Sequence, residues 1–137
     1  MSDQARGGFY AHQDADVGPG DDGGYYTWTL PEVKAGLPPD ETDVIVSYYG
    51  ITEQGNMPTA PGRNVLRVVT TPEAIARLLS LPPSTATALI ASGTAHLLEA
   101  RNKRPAPVVD RTIFANRNGM MITAYLEAYK ALGREDV

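Results

Sequence analysis

Two short aromatic runs, GGFYAHQ and GGYYTWT, lie between Gly7 and Thr29, separated by the turn-rich stretch DADVGPGDDGG. Aromatic runs divided by Gly and Asp favour paired strands, so the pattern predicts a β-hairpin. Its arms are Phe9 to His12 and Tyr25 to Trp28, with a long connection. Helical periodicity begins next. Thr29-Leu30-Pro31-Glu32 has the spacing of a capping box, which predicts a short helix from Leu30 to Ala35 ended by Gly36. Asp40 is the expected cap of a second helix running to Tyr49, with Val44, Ile45, Tyr48 and Tyr49 as its apolar stripe and Gly50 as its stop.

The following stretch, ITEQGNMPTAPGRNVLRVV, carries too many breakers for a long element and reads as a loop ending in an extended run at Val65 to Val69. Thr71, Pro72 and Glu73 supply a cap, a first-turn proline and an early acid for a helix over Pro72 to Leu79. Ser84 is the expected cap of the longest helix, where Leu89, Ile90, Gly93, Leu97 and Ala100 recur at intervals of three and four. Arg101, Lys103 and Arg104 suit its negative end, and Pro105 and Pro107 stop it. A last helix, Asn118 to Leu132, has Met120, Met121, Ala124, Ala128 and Leu132 on one side and Ile122, Tyr125, Leu126 and Tyr129 over much of the rest. A helix that is apolar on most faces expects protein all around it. The fold class is therefore mainly α with one short β-hairpin.

Composition narrows the chemistry. A chain of 137 residues supplies one domain or part of one, and its 42% hydrophobic content is that of a folding sequence. A net charge of -4 argues against nucleic acid, which is bound by clustered Lys and Arg. The absence of cysteine removes disulfides, thiolate nucleophiles, Cys-type zinc sites and CxxC redox pairs. The polar start MSDQARGG lacks a signal-like apolar core, and the greasiest stretch, Met120 to Tyr129, is interrupted by Thr123 and Glu127. The expectation is a cytoplasmic protein with no membrane span, no metal and no cofactor.

In order along the chain, GGFYAHQDAD, YYTWT, YYGITEQGN, GRNVL, ARNKRPAPVVDRT and NGMMI stand in register. This succession resembles that of the thioredoxin-domain proteins that include the spermatogenesis-associated group. Members of that family carry GGFYSxxDAD, FYVWT, YYGVTxxGN, GKNVL, ARxxRxxPxxDxK and WNGLMI. The resemblance runs from Gly7 to about Leu132. It implies that residues 1–137 form a partial (α/α)6 toroid of helical hairpins, similar to sugar epimerases and six-hairpin glycosidases, without the family's thioredoxin-like domain. A complete toroid needs roughly twelve helices of ordinary length, and about five are visible here. Expected partners are a carbohydrate ligand and either the thioredoxin-like domain or the missing part of the toroid.

Against that background Asp14 and Asp16 are the candidate catalytic pair, because two carboxylates at a toroid rim can act as acid and base on a sugar or hold its hydroxyl groups. The alternative is a turn cap at Asp14 and a solvated Asp16. An EF-hand reading of the same loop fails, since its sixth and twelfth places hold Pro19 and Tyr25. Tyr26 and Trp28 are candidates to stack on a sugar, or simply pack against a core. Arg101, Asp110 and Asn118 complete the expected substrate-binding set by resemblance, although Arg101 also suits a helix end and Asp110 a surface ion pair. His12 and His96 have no metal-ligand spacing. Arg117 stands where the family has Trp, and at a buried Trp position it would need a partner for its charge. Two functions follow as alternatives, a carbohydrate-active or carbohydrate-binding toroid and a non-catalytic scaffold.

Overall fold

The computed structural model describes residues 1–133. Its elements are β1 (His12–Gln13), β2 (Trp28–Thr29), α1 (Leu30–Gly36), α2 (Pro39–Tyr49), β3 (Arg63–Asn64), α3 (Pro72–Leu78), α4 (Pro83–Asn102), β4 (Val109–Asp110) and α5 (Ala115–Leu132). The fold is mainly α, as expected. The chain divides into two compact units, Ala15–Pro107 and a second unit made of Met1–Asp14 with the chain from Val108 onward.

In the Ala15–Pro107 unit, local signals start each helix. Thr29 and Glu32 make the reciprocal box at α1: Glu32 N–H donates to Thr29 Oγ1 at 3.3 Å and Thr29 N–H to the Glu32 carboxylate at 2.8 Å. Thr71 Oγ1 accepts from Ala74 N–H at α3. The caps expected at Asp40 and Ser84 are not used. Pro38 and Pro82 occupy the cap positions of α2 and α4, with a second proline opening each helix. A proline there has φ already set for the helix and no N–H to satisfy, so each helix starts before the polar residue. Gly50, in the left-handed region with φ 62°, closes α2.

The core lies on both sides of α2. Ile45 joins Trp28, Val33, Leu37, Ile51 and Leu97 in one cluster, while the adjacent Val44 joins Ile75, Ala76 and Ala86 in another. The expected α4 stripe is inward, with Gly93 and Leu97 buried. Gly93 permits the close approach of α4 to α2, since a Cβ there would lie 2.6 Å from Ile45 Cγ1.

The predicted hairpin does not form. Trp28 and Thr29 pair antiparallel with Asn64 and Arg63, whereas His12 and Gln13 pair with Asp110 and Val109. The connecting loop folds on itself instead of making a tight turn: Asp21 accepts from Val17 and Gly24 N–H, and Asp16 from Gly23 N–H. Each aromatic run is left to find a distant partner. The extended segment expected at Val65 to Val69 is shifted to Arg63–Asn64, leaving Val65, Val68 and Val69 exposed. Asn64 explains the shift. It is 1% exposed, its amide donates to the carbonyls of Trp28 and Thr52, and its side-chain oxygen accepts from Thr52 N–H, which anchors the strand one residue before the valines.

The other unit contains the β1–β4 pair and α5. None of its described residues is buried. Asn118 in the first turns of α5 clamps Phe9: its oxygen accepts from Phe9 N–H at 2.7 Å and its amide donates to Phe9 C=O at 3.1 Å. Phe9 stacks on Tyr125 with ring centroids 5.8 Å apart.

Candidate functional site

The Ala15–Pro107 unit carries a cleft of about 330 Å³ lined by Asp21, Tyr25, Glu32, Arg63 and Arg104, with Val17, Gly24 and Pro105 at its margins. Arg104 follows the end of α4 and holds the wall. Its Nη1 donates to the carbonyls of Gly24 at 2.8 Å, Tyr25 at 3.2 Å and Thr27 at 2.8 Å. Its guanidinium lies 3.9 Å from the Trp28 ring centroid, and Nη2 is 3.6 Å from Glu32. Arg63, placed by β3, donates to Thr27 Oγ1. Asp21 is held below the usual carboxylate range, first by the hydrogen bond from Val17 N–H. The cleft thus presents two guanidinium groups, two carboxylates and a phenol.

A smaller cleft of about 180 Å³ is lined by Trp28, Tyr49, Leu66, Thr94, Leu97, Leu98 and Arg101. Two of the expected binding residues, Trp28 and Arg101, meet there. Trp28 is 4% exposed and covered by Arg104, so it serves the core and is no open platform for a sugar. Arg101 leans over Tyr25 and Tyr26, 5.5 and 5.9 Å from their centroids. Its Nε is buried without a hydrogen-bond partner among the described residues, an arrangement native structures rarely leave unused. Tyr26 packs edge-on against Tyr25 and remains partly exposed. Asp16 is exposed, with Oδ1 taken by Gly23 N–H.

The remaining expected residues fall in the other unit. His12 stands between Asp14, 3.4 Å from its Nε2, and Asp110, 3.7 Å from its Nδ1, with all three side chains substantially solvated. Asp110 is held below the usual carboxylate range, first by the Thr112 hydroxyl and then by Thr112 N–H, with His12 and Arg117 adding to the effect. Asn118 spends its polar atoms on Phe9 and on Phe114 C=O. Arg117 is exposed, donates to Ala11 C=O and stacks over Phe114, so its charge is solvated and not trapped at a buried site. Among the described residues, no group of three or more His, Asp or Glu side chains is arranged to hold a metal ion. No single described helix is long and apolar enough to cross a membrane.

Sequence reasoning missed a polar cluster between α2 and α4. Glu41 is buried, accepting from Ser92 Oγ at 2.7 Å and lying 2.7 Å from His96 Nδ1. The Ser92 hydroxyl is the first cause of its lowered pKa, with His96 contributing. Ser92 and His96 are four residues apart and flank the buried Gly93 and Leu97, a helical spacing that could have flagged them.

No family model matches the chain. The human protein named spermatogenesis-associated protein 20 is 32% identical to it over 150 residues, covering 94% of this chain and 19% of that protein. Its mouse counterpart is 31% identical with the same coverage. An uncharacterized protein of Caenorhabditis elegans is 28% identical over 144 residues, covering 91% of this chain and 20% of that protein. The chain spans about a fifth of the length of the curated relatives it matches.

Proposed function

We propose that the chain is a carbohydrate-binding part of a larger helical protein, a segment of an epimerase-like or glycosidase-like (α/α)6 toroid, and that its sugar occupies the cleft of Asp21, Tyr25, Glu32, Arg63 and Arg104. The observation that carries this reading is the balance of the lining. Two cations against two carboxylates favour a neutral ligand over a phosphate, which would leave Asp21 and Glu32 facing a like charge. Donors and acceptors side by side suit hydroxyl groups, each of which gives one hydrogen bond and accepts others. A volume of about 330 Å³ is at the small end of ligand pockets and fits one sugar ring.

Saturation-transfer NMR with a panel of neutral monosaccharides and oligosaccharides tests the reading. Transfer to neutral sugars that is abolished by Arg63→Ala supports it; no transfer to any of them refutes it. Turnover is a separate question from binding, because neither Asp14 nor Asp16 lines this cleft.

A second reading, a non-catalytic scaffold for a thioredoxin-like domain or for the rest of the toroid, is favoured by α5, which buries none of its residues.

A further inference from the structure

One face of α4 bounds a recess separate from the cleft of Arg63 and Arg104. Thr94, Leu97, Leu98 and Arg101 recur at i, i+3, i+4 and i+7, and with Trp28, Tyr49 and Leu66 they enclose about 180 Å³. The two polar residues of this face stand two turns apart, about 10 Å along the axis at the usual helical rise. Thr94 Oγ1 lies 3.2 Å from the Tyr49 hydroxyl at one end, the Arg101 guanidinium stands at the other, and Leu97 and Leu98 separate them. Arg101 is the sole charged residue of the lining and is short of acceptors. Tyr25 and Tyr26 take its flat side, its Nε is buried with nothing to donate to, and no carboxylate among the described residues pairs with it. Stacking engages the face of a guanidinium, whereas its N–H donors lie in the plane and stay free for an anion.

We propose that this recess binds a small aryl carboxylate, with the acid group at Arg101, the ring against Trp28, Leu97 and Leu98, and a ring hydroxyl, where present, at the Tyr49–Thr94 pair. Charge selects the acid. One guanidinium balances one carboxylate, whereas a phosphate dianion would bring surplus charge into a mainly apolar recess and a neutral molecule would leave Arg101 unpaired. Size selects a single ring. Drug-sized ligands occupy pockets of roughly 300 Å³ and more, and a helix, about 10–12 Å across with its side chains, is too wide to enter. A rigid ring also spans the distance between the polar ends without the rotamer loss that an alkyl chain suffers. The inference does not rest on the sugar reading, since the two clefts share no lining residue.

The chain has one tryptophan, so Trp28 fluorescence reports on the recess, and amide NMR locates the binding. Titrating the 137-residue chain with phenylacetate, 4-hydroxyphenylacetate and the uncharged phenylacetamide tests the proposal. The expected result is saturable change with both acids, shifts at Leu66, Leu98 and Arg101, and affinity for the amide lower by more than about tenfold. Arg101→Gln should lose the acids by a similar factor. Leu98→Glu, at a position exposed to solvent, keeps Arg101 and sets a like charge against the acid; it should show the same loss, which keeps the test decisive if Arg101→Gln does not fold. Thr94→Val should erase any preference for the hydroxylated acid and spare phenylacetate. Arg77→Gln, which removes an exposed cation outside the lining, should bind as the parent does. No saturable response, equal binding of the amide, or binding indifferent to both Arg101→Gln and Leu98→Glu would overturn the proposal. So would tighter binding of a helical peptide carrying Phe and Glu four residues apart, which would give the recess to a protein partner.

Discussion

The two units hold their helices by opposite means. In Ala15–Pro107, α2 is wedged between two apolar clusters and tied to α4 through Glu41, Ser92 and His96, so helix and core define each other. In the other unit α5 has a left-handed glycine stop at Gly133 and a side-chain clamp at Asn118, yet no buried residue beneath it among the described residues. A well-started and well-stopped helix is not thereby a packed one. Capping contributes on the order of 1 kcal/mol, whereas each buried aliphatic side chain contributes about 1.5–3 kcal/mol.

The largest expected break in this contrast is Ile45→Ala. Ile45 is fully buried against Gly93, so the substitution should cost about 2–5 kcal/mol in urea denaturation of the Ala15–Pro107 unit. Glu41→Gln should come next, at about 1–3 kcal/mol near neutral pH, because it weakens the acceptor for Ser92 and removes the charge facing His96. Its pH dependence follows from the direction of the shift. The folded-state pKa of Glu41 lies below the ordinary 4.5, so its stabilisation is complete above that value and disappears as pH falls through the folded pKa. Denaturation midpoints measured from neutral to acid should fall less steeply in the Gln variant.

These residues also mark where sequence reading succeeded. Thr29, Thr71 and Gly50 act through neighbours within a turn, and the α4 stripe repeats at intervals of three and four, so local spacing revealed them. Strand pairing was illegible, because His12 pairs with Asp110 and Trp28 with Asn64 across long stretches of chain, and two-residue strands carry no alternation to read. The cleft between Arg63 and Arg104 was missed for the same reason. Asp21, Glu32 and Arg63 come from a loop, a helix cap and a strand, and no single motif displays them together. Trp28 and Arg101 were expected only as two members of a wider substrate-binding set, and an aromatic run alone did not decide the core use of Trp28.

Thr29→Ala should cost about 1 kcal/mol, since it removes the hydroxyl half of the α1 box while leaving the core intact, and a shift in the urea midpoint without a change in slope would check it. The smallest effect is expected at α5. Ile122→Ser should change the stability of the isolated chain by no more than about 0.5 kcal/mol, as for surface substitutions generally. A cost comparable to that of Ile45→Ala would erase the contrast between the units by revealing a hidden core around α5.

The Arg104 clamp has a consequence for the order of events in folding. Its three carbonyl acceptors precede it by 77 to 80 residues, and closing so long a span is entropically expensive until intervening helices shorten it. On the ribosome, α1 to α4 can form as they emerge, but the Gly24–Thr27 backbone must wait for Arg104 to leave the tunnel. The wall of the Arg104 cleft is therefore among the last parts of its unit to set, and a nascent chain halted before Arg104 would carry the helices without a finished cleft.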